Sequence, residues 1–288
     1  MENHKTINGE AFKQRQQSVT LEGVVEEPVK INYTDVGSGT PIMLLHGIPT
    51  WSYLYQSVIP ELEEEYRVIA PDLLGYGWSD QRDQFDRSLH VQAKMIVKLM
   101  DELELEQVNV VAHDIAGGVG LILAHHEPER INKLVLSNAV AYDSWPIQDM
   151  LMMGHPSRKN DSIQDIEDFL SNGFKEMFFQ KEQLTETFLQ GIMAPYLHEQ
   201  GKLSLVRNAS ALNTNETTAL TPKLSSIQHS VLLLWGAKDT WQPVETGEKL
   251  ENDLPNSKLV RINASHWVPQ EAPEEFTAEI KKFIENPN

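Results

Sequence analysis

The sequence predicts an α/β fold: a mostly parallel, doubly wound sheet with helices on both faces and a helical segment inserted late in the chain. Three features predict it. Short apolar runs recur at 42–45, 67–70, 108–111, 133–137, 230–235 and 258–262, with helical periodicity between most of them. Runs that are apolar throughout, rather than alternating, suit parallel strands buried on both faces. The alternation stops after Asn138, where helical patterns and breakers take over, and returns at Ser230. Finally, the run at 108–111 breaks at Asp114 and passes through small residues into a helix, as a strand turning sharply at a sheet edge does.

Residues 18–23 and 29–36 are predicted as two strands of a hairpin-like start, and Asp35 to Pro41 is turn chemistry. The strand at 42–45 leads into His46-Gly47-Ile48-Pro49-Thr50. A helix is expected over 52–65, with a break or kink at Pro60. The strand at 67–70 opens a loop with two glycines, Gly75 and Gly77, and apolar spacing predicts a helix over 89–103. The central strand follows, then a helix from 119 to near Pro128 and the strand at 133–137. Residues 141–221 are read as an inserted helical cap, with helices near 161–179, 182–197 and 202–213. That leaves 1–140 and 222–288 as the core. A helix over 244–252, the strand at 258–262 and a helix from Pro273 to about 284 complete it, with proline suited to a first turn.

The length, 288 residues, fits one large domain or a domain with an insertion. Against 42 Asp and Glu stand 24 Lys and Arg, a formal charge of -18, which disfavours nucleic acid and anionic membrane surfaces. The acids fall on helical stretches such as 61–65 and 101–106, as solvated faces do. With no cysteine there are no disulfides and no thiolate chemistry. The polar N-terminus and the lack of a long apolar run predict a cytoplasmic protein. The histidines do not share metal-ligand spacing, so neither metal nor cofactor is expected. The expected partners are a small apolar organic substrate and water.

Three chemistry-bearing residues stand where a strand gives way to a loop: Asp114, Asp239 and His266. In parallel sheets, sites collect at the carboxyl ends of strands. Each has a plain alternative. Asp114 is also a good helix N-cap, Asp239 a turn residue and His266 a packed or surface histidine. Ala112 and Ala116, two residues either side of Asp114, are small enough for a tight turn that lifts one side chain above the sheet.

These stretches resemble the haloalkane dehalogenase and epoxide hydrolase branch of the α/β-hydrolases, over nearly the whole chain outside the cap. The resemblance rests on His46 to Tyr55, on Val68-Ile69-Ala70-Pro71-Asp72-Leu73-Leu74-Gly75-Tyr76-Gly77-Trp78-Ser79-Asp80 and on His113-Asp114. Trp235-Gly236-Ala237-Lys238-Asp239 and Ser265-His266-Trp267 with Glu271-Ala272-Pro273 complete it. It implies the α/β-hydrolase fold and the chain order nucleophile, acid, histidine. Asp114 takes the nucleophile position, Asp239 the acid and His266 the base, with the backbone N–H groups of Ile48 and Ile115 as oxyanion hole. A carboxylate nucleophile limits the chemistry, because attack on saturated carbon gives an ester whereas attack on an acyl carbon would give an anhydride. The expected reaction is hydrolysis of a small apolar electrophile through an Asp114 ester, resolved by water that His266 activates.

Two positions depart from the dehalogenase pattern. Dehalogenases of this branch hold the leaving halide with a Trp directly after the nucleophile, here Ile115, and many add an Asn in the His-Gly-x-Pro motif, here Ile48. Trp145, Trp241 and Trp267 are the candidate replacements. The alternative is an epoxide hydrolase with a cap tyrosine, Tyr142 or Tyr196, as proton donor; a second alternative is a hydrolase-fold small-molecule binder with vestigial activity. His46 is expected to organise its loop, His113 to point away from the site, and Gly117 and Gly118 to allow close helix–strand packing. Met152, Met153, Phe169, Phe174, Phe178 and Phe179 are expected as cap core and partly pocket wall.

Overall fold

The computed structural model describes residues 7–286. One sheet of eight strands runs through the molecule in the order β1-β2-β4-β3-β5-β6-β7-β8. The strands are β1 (Gln17–Leu21), β2 (Val29–Gly37), β3 (Pro41–Leu45), β4 (Arg67–Pro71), β5 (Val108–His113), β6 (Ile131–Ser137), β7 (Val231–Gly236) and β8 (Ser257–Ile262). The hairpin β1–β2 pairs antiparallel, and β2 joins β4 antiparallel. Every pairing from β4 through β3, β5, β6 and β7 to β8 is parallel. The strands β5 and β7 are buried at every residue, which is why they carry no polar alternation.

The helices are α1 (Gly9–Lys13), α2 (Ile59–Leu62), α3 (Leu89–Glu102), α4 (Ile115–His126), α5 (Gln148–Met153), α6 (Ile163–Met177), α7 (Glu186–Met193), α8 (Glu199–Ser210), α9 (Asn215–Thr218), α10 (Val244–Asp253), α11 (Val268–Glu271) and α12 (Pro273–Glu285). Helix α3 packs on α4, and α4 packs on β5 and β6. Two helical expectations change. The helix expected over 52–65 is a 3-10 turn at Ser52–Tyr55 followed by the separate α2. Pro60 lies in the first turn of α2, where its missing N–H is harmless, so it starts a helix instead of kinking one. Helix α4 begins at Ile115 and not at 119, because its first turn is built of small residues that carry no apolar period. The Cβ of an alanine at Gly117 would lie 2.1 Å from the Cβ of Ala139, so this turn passes against the chain leaving β6.

Between β6 and β7 the chain forms only helical elements. Helix α6 starts with a reciprocal cap: Ser162 Oγ accepts from Asp165 N–H at 3.1 Å, and Asp165 Oδ2 accepts from Ser162 N–H at 2.9 Å. Short α5, which has no comparable sequence signal, was not among the expected helices. Specific hydrogen bonds tie this segment to the rest. Ser204 Oγ and Asn208 Nδ2 each donate to the Gly75 carbonyl at 2.7 Å. The buried Arg87 guanidinium donates to Ser204 Oγ at 2.9 Å and to Asn208 Oδ1. Among the described residues, no helix is long and apolar enough to cross a membrane.

Candidate active site

The carboxyl ends of β3, β5, β6, β7 and β8 converge, and each is followed within four residues by a polar or backbone group of the site. Asp114 follows β5 directly, with φ 56° and ψ -122°. This is strained backbone for a residue with a Cβ. It is held by three main-chain bonds: Asp114 N–H to Ser137 O at 3.1 Å, and Gly117 N–H and Val140 N–H to Asp114 O at 2.9 and 3.0 Å. Asp114 does occupy the N-cap position of α4, yet its side chain makes no capping bond. It turns instead to the loop after β3, where Ile48 N–H donates to Oδ1 at 2.8 Å. Gly47 makes this approach possible, because a Cβ there would lie 2.2 Å from Asp114 Oδ1. The other oxygen, Oδ2, lies 3.8 Å from His266 Nε2, too far for a direct hydrogen bond.

His266 Nδ1 lies 2.8 Å from Asp239 Oδ2. Asp239 is locked in turn. Trp241 and Gln242 N–H donate to its Oδ1 at 2.8 and 3.0 Å, and Asn138 Nδ2 donates to Oδ2 at 2.6 Å. Asn138, with φ 44°, also accepts from Gly236 N–H on Oδ1 at 3.1 Å. Sequence reasoning missed Asn138, although the strand-end rule that marks Asp114 applies equally to the residue after β6.

Burial pushes the Asp114 carboxyl up to about 6; the charge of His266 and the N–H groups of Ile115 and Ile48 oppose this. Burial works against the charged form of His266, but Asp239 first, then Asp114, hold its pKa above the ordinary histidine value. Asp114 is therefore largely ionised at pH 7, and an anion facing the Nε2 edge of a histidine is the resting arrangement. Such a set can attack carbon with Oδ2 while Oδ1 stays on backbone donors. It can then use the histidine as a base toward water.

The space over Asp114 is an inner chamber of about 20 Å³, room for roughly one water. Apolar Ile48, Ile115, Val140, Ile147, Met150 and Leu212 line it, together with Trp145, Trp241, Gln242 and His266. A wider cavity of about 220 Å³ adjoins it, and Met150 and Trp241 line both. Its walls include Phe169, Phe174 and Trp267. Of the other expected wall residues, Met153 and Phe178 are buried core, while Met152 and Phe179 are about half exposed.

The three tryptophans are placed differently. Trp145 lines the inner chamber, but its indole N–H donates to Thr217 Oγ1 at 2.7 Å. Trp241 lines both cavities, and Trp267 lines only the outer one. Tyr142 and Tyr196, expected at the pocket, do not line either cavity. The Tyr142 hydroxyl donates to Asp253 Oδ2 at 2.7 Å, with Lys249 over its ring, both on α10, and Tyr142 itself has a φ of 55°. The Tyr196 hydroxyl donates to the Thr50 carbonyl at 2.8 Å and is fully buried.

His113 is a further correction. Its ring lies 4.8 Å from that of His266 and does not point away. Burial, then the neighbouring His266, keep it neutral well below the ordinary histidine range. His46 organises its loop, with Nδ1 2.9 Å from the Gly47 carbonyl and Nε2 accepting Leu73 N–H at 3.0 Å.

Residues 40–273 match the model of a family described as alpha/beta hydrolase fold. Haloalkane dehalogenase 2 of Mycobacterium tuberculosis and of Mycobacterium bovis is 29% identical over 262 residues, 87% of this chain and 90% of theirs. The 2-hydroxymuconate semialdehyde hydrolase of Pseudomonas sp. is 27% identical over 272 residues, 91% of this chain and 92% of its own. An alpha/beta hydrolase fold protein from Burkholderia ambifaria superposes with a TM-score of 0.85 at 26% identity, covering 92% and 97% of the two chains. The epoxide hydrolase CorEH superposes at 0.77 and 22% identity, over 93% and 98%, a likeness of fold.

Proposed function

This chain belongs to the alpha/beta hydrolase fold family, and we propose that it hydrolyses a small apolar electrophile through a covalent ester on Asp114. The observation that carries the reading is the division of labour between the two Asp114 oxygens. Oδ1 is held by the Ile48 N–H at 2.8 Å, and Oδ2 lies 3.8 Å from His266 Nε2. Oδ2 displaces the leaving group from carbon, and Oδ1 becomes the ester carbonyl oxygen, already seated on backbone N–H groups. Water attacks Cγ as His266 takes its proton, and the charge that develops on Oδ1 meets Ile48 and Ile115. A lost donor of this kind costs on the order of 3 kcal/mol in other enzymes. The Cγ–Oδ2 bond then breaks, Oδ2 leaves as the alcohol oxygen with the proton from His266, and the water oxygen completes the Asp114 carboxyl, whose remaining proton passes to solvent.

Esterification also prepares the second step. It removes the Asp114 charge, one of the groups that raise His266, so more of His266 stands neutral and able to accept a proton from water once the ester has formed. Residues 141–221 act as the cap, contributing Trp145, Met150 and Leu212 to the inner chamber and Phe169 and Phe174 to the outer one. The lining favours an apolar substrate body. The halide reading is preferred over epoxide opening, since both cap tyrosines commit their hydroxyls outside the cavities.

A single turnover in oxygen-18 water tests the reading. The alcohol product is expected to carry ordinary oxygen from Asp114, with the heavy isotope appearing in the Asp114 carboxylate. Oxygen-18 in the first-turnover product would mean that water attacks the substrate directly.

A further inference from the structure

The reaction needs a group to receive the departing anion, and Ile48 and Ile115 offer none through their side chains. Four side chains on the inner chamber carry N–H groups: Trp145, Trp241, Gln242 and His266. Trp145 is committed to Thr217, and His266 sits between Asp239 and Asp114. Gln242 is 3% exposed and its backbone is pinned on both sides. Its N–H donates to Asp239 Oδ1 at 3.0 Å, and its carbonyl accepts from Trp235 Nε1 at 2.8 Å. Its side-chain oxygen faces Ser144 Oγ at 3.2 Å. Its amide nitrogen makes no hydrogen bond to a described residue. The same holds for the Trp241 indole nitrogen, whose ring is held 5.3 Å from His266 and 5.7 Å from Trp267.

We propose that the Gln242 amide, with the indole N–H of Trp241 on the same chamber, is the leaving-group site and takes a monatomic halide. The inference rests on the Asp114 reading. The Asp114 Oδ2 lone pair forms the carbon–oxygen bond as the carbon–halogen bond breaks. The electron pair leaves with the halogen, and no proton moves. The negative charge thus travels from Asp114 to the halide, and neutral N–H donors fixed in advance stabilise it where it arrives. An inner chamber with room for one water accommodates an ion of similar size. These donors sit on the Asp239 loop, which explains how two isoleucines can stand at the positions where the resembled dehalogenases donate.

The test uses the full chain carrying His266→Gln, exposed to butyl chloride, butyl bromide or butyl iodide, with the Asp114 adduct followed by intact mass. Adding Gln242→Leu is expected to slow alkylation by butyl chloride on the order of 100-fold. Butyl iodide, whose leaving group needs least help, is expected to slow least, so the chloride-to-iodide rate ratio falls. Trp241→Phe keeps the ring and acts in the same direction. Inhibition by sodium bromide weakens in both variants. Equal slowing for all three halides, or unchanged rates and bromide inhibition, would overturn the proposal, since a structural role lowers every rate alike. Failure of all three halides to form an adduct with the His266→Gln parent would overturn the Asp114 reading itself, and this proposal with it.

Discussion

Asp114 combines strained backbone, a seat on the Ile48 N–H and a buried carboxyl whose pKa is raised to about 6. Its nucleophilic form is the anion, so the first step loses its reactant as pH falls through that value. Measured as kcat/KM, the acid limb is expected to inflect near pH 6 and to fall about tenfold per unit below it. His266 is a group that lowers the Asp114 pKa, so in His266→Gln the inflection of the alkylation rate should move to higher pH. An inflection near the ordinary carboxylate value, or no shift in the variant, would contradict the burial argument. At this scale, Asp114, Asp239 and His266 were legible because each ends an apolar run. The positions of Tyr142 and Tyr196 were not, because the direction of a hydroxyl depends on φ and on partners distant in sequence. Gln242 was hidden for the same reason: nothing local to Thr240-Trp241-Gln242 reveals that its amide lacks an acceptor.

Helix α4 and the ends of five parallel strands set the geometry, and one buried carboxylate joins them to the helical segment. Glu271, 1% exposed at the end of α11, accepts Ser265 N–H on Oε1 at 3.0 Å. Its Oε2 accepts the N–H groups of Phe179 and Gln180 at 2.8 and 2.9 Å. It therefore pins the turn after α6 to the loop that carries His266. Glu271→Gln puts amide hydrogens against N–H donors. Bonds to a charged acceptor are worth about 1.5–3 kcal/mol each, so a loss of about 2–3 kcal/mol in denaturant unfolding is expected. An unchanged midpoint would show that the carboxylate does not carry this junction. Most strands were legible from unbroken apolar runs. Helix α5 and the first turn of α4 were not, since six residues are too few to show a period and glycine and alanine show none.

Over the whole molecule, acids outnumber bases by 18, and neither Lys nor Arg lines either cavity. Asp149 and Glu176 line the outer one. A carboxylate on the substrate would meet no Lys or Arg in either cavity and a repulsive field at the outer one. A bromoalkanoate is expected to react at least roughly tenfold more slowly than the neutral bromoalkane of equal length, with the gap narrowing as salt is added. Equal rates at low salt would remove charge from the selectivity. The parallel sheet and the interrupted alternation were legible at this scale. The division of the pocket by Met150 and Trp241 was not, because it depends on how residues 141–221 settle on the sheet.

Asp114 is expected to become esterified, and His266 to be required for release of that ester. The most direct test is the intact mass of His266→Gln after exposure to butyl bromide, with the modified residue located by peptide fragmentation. A stable gain of one butyl group on Asp114, absent in Asp114→Ala and transient in the native chain, is the expected result. An unmodified protein, or a butyl group on another residue, would contradict it.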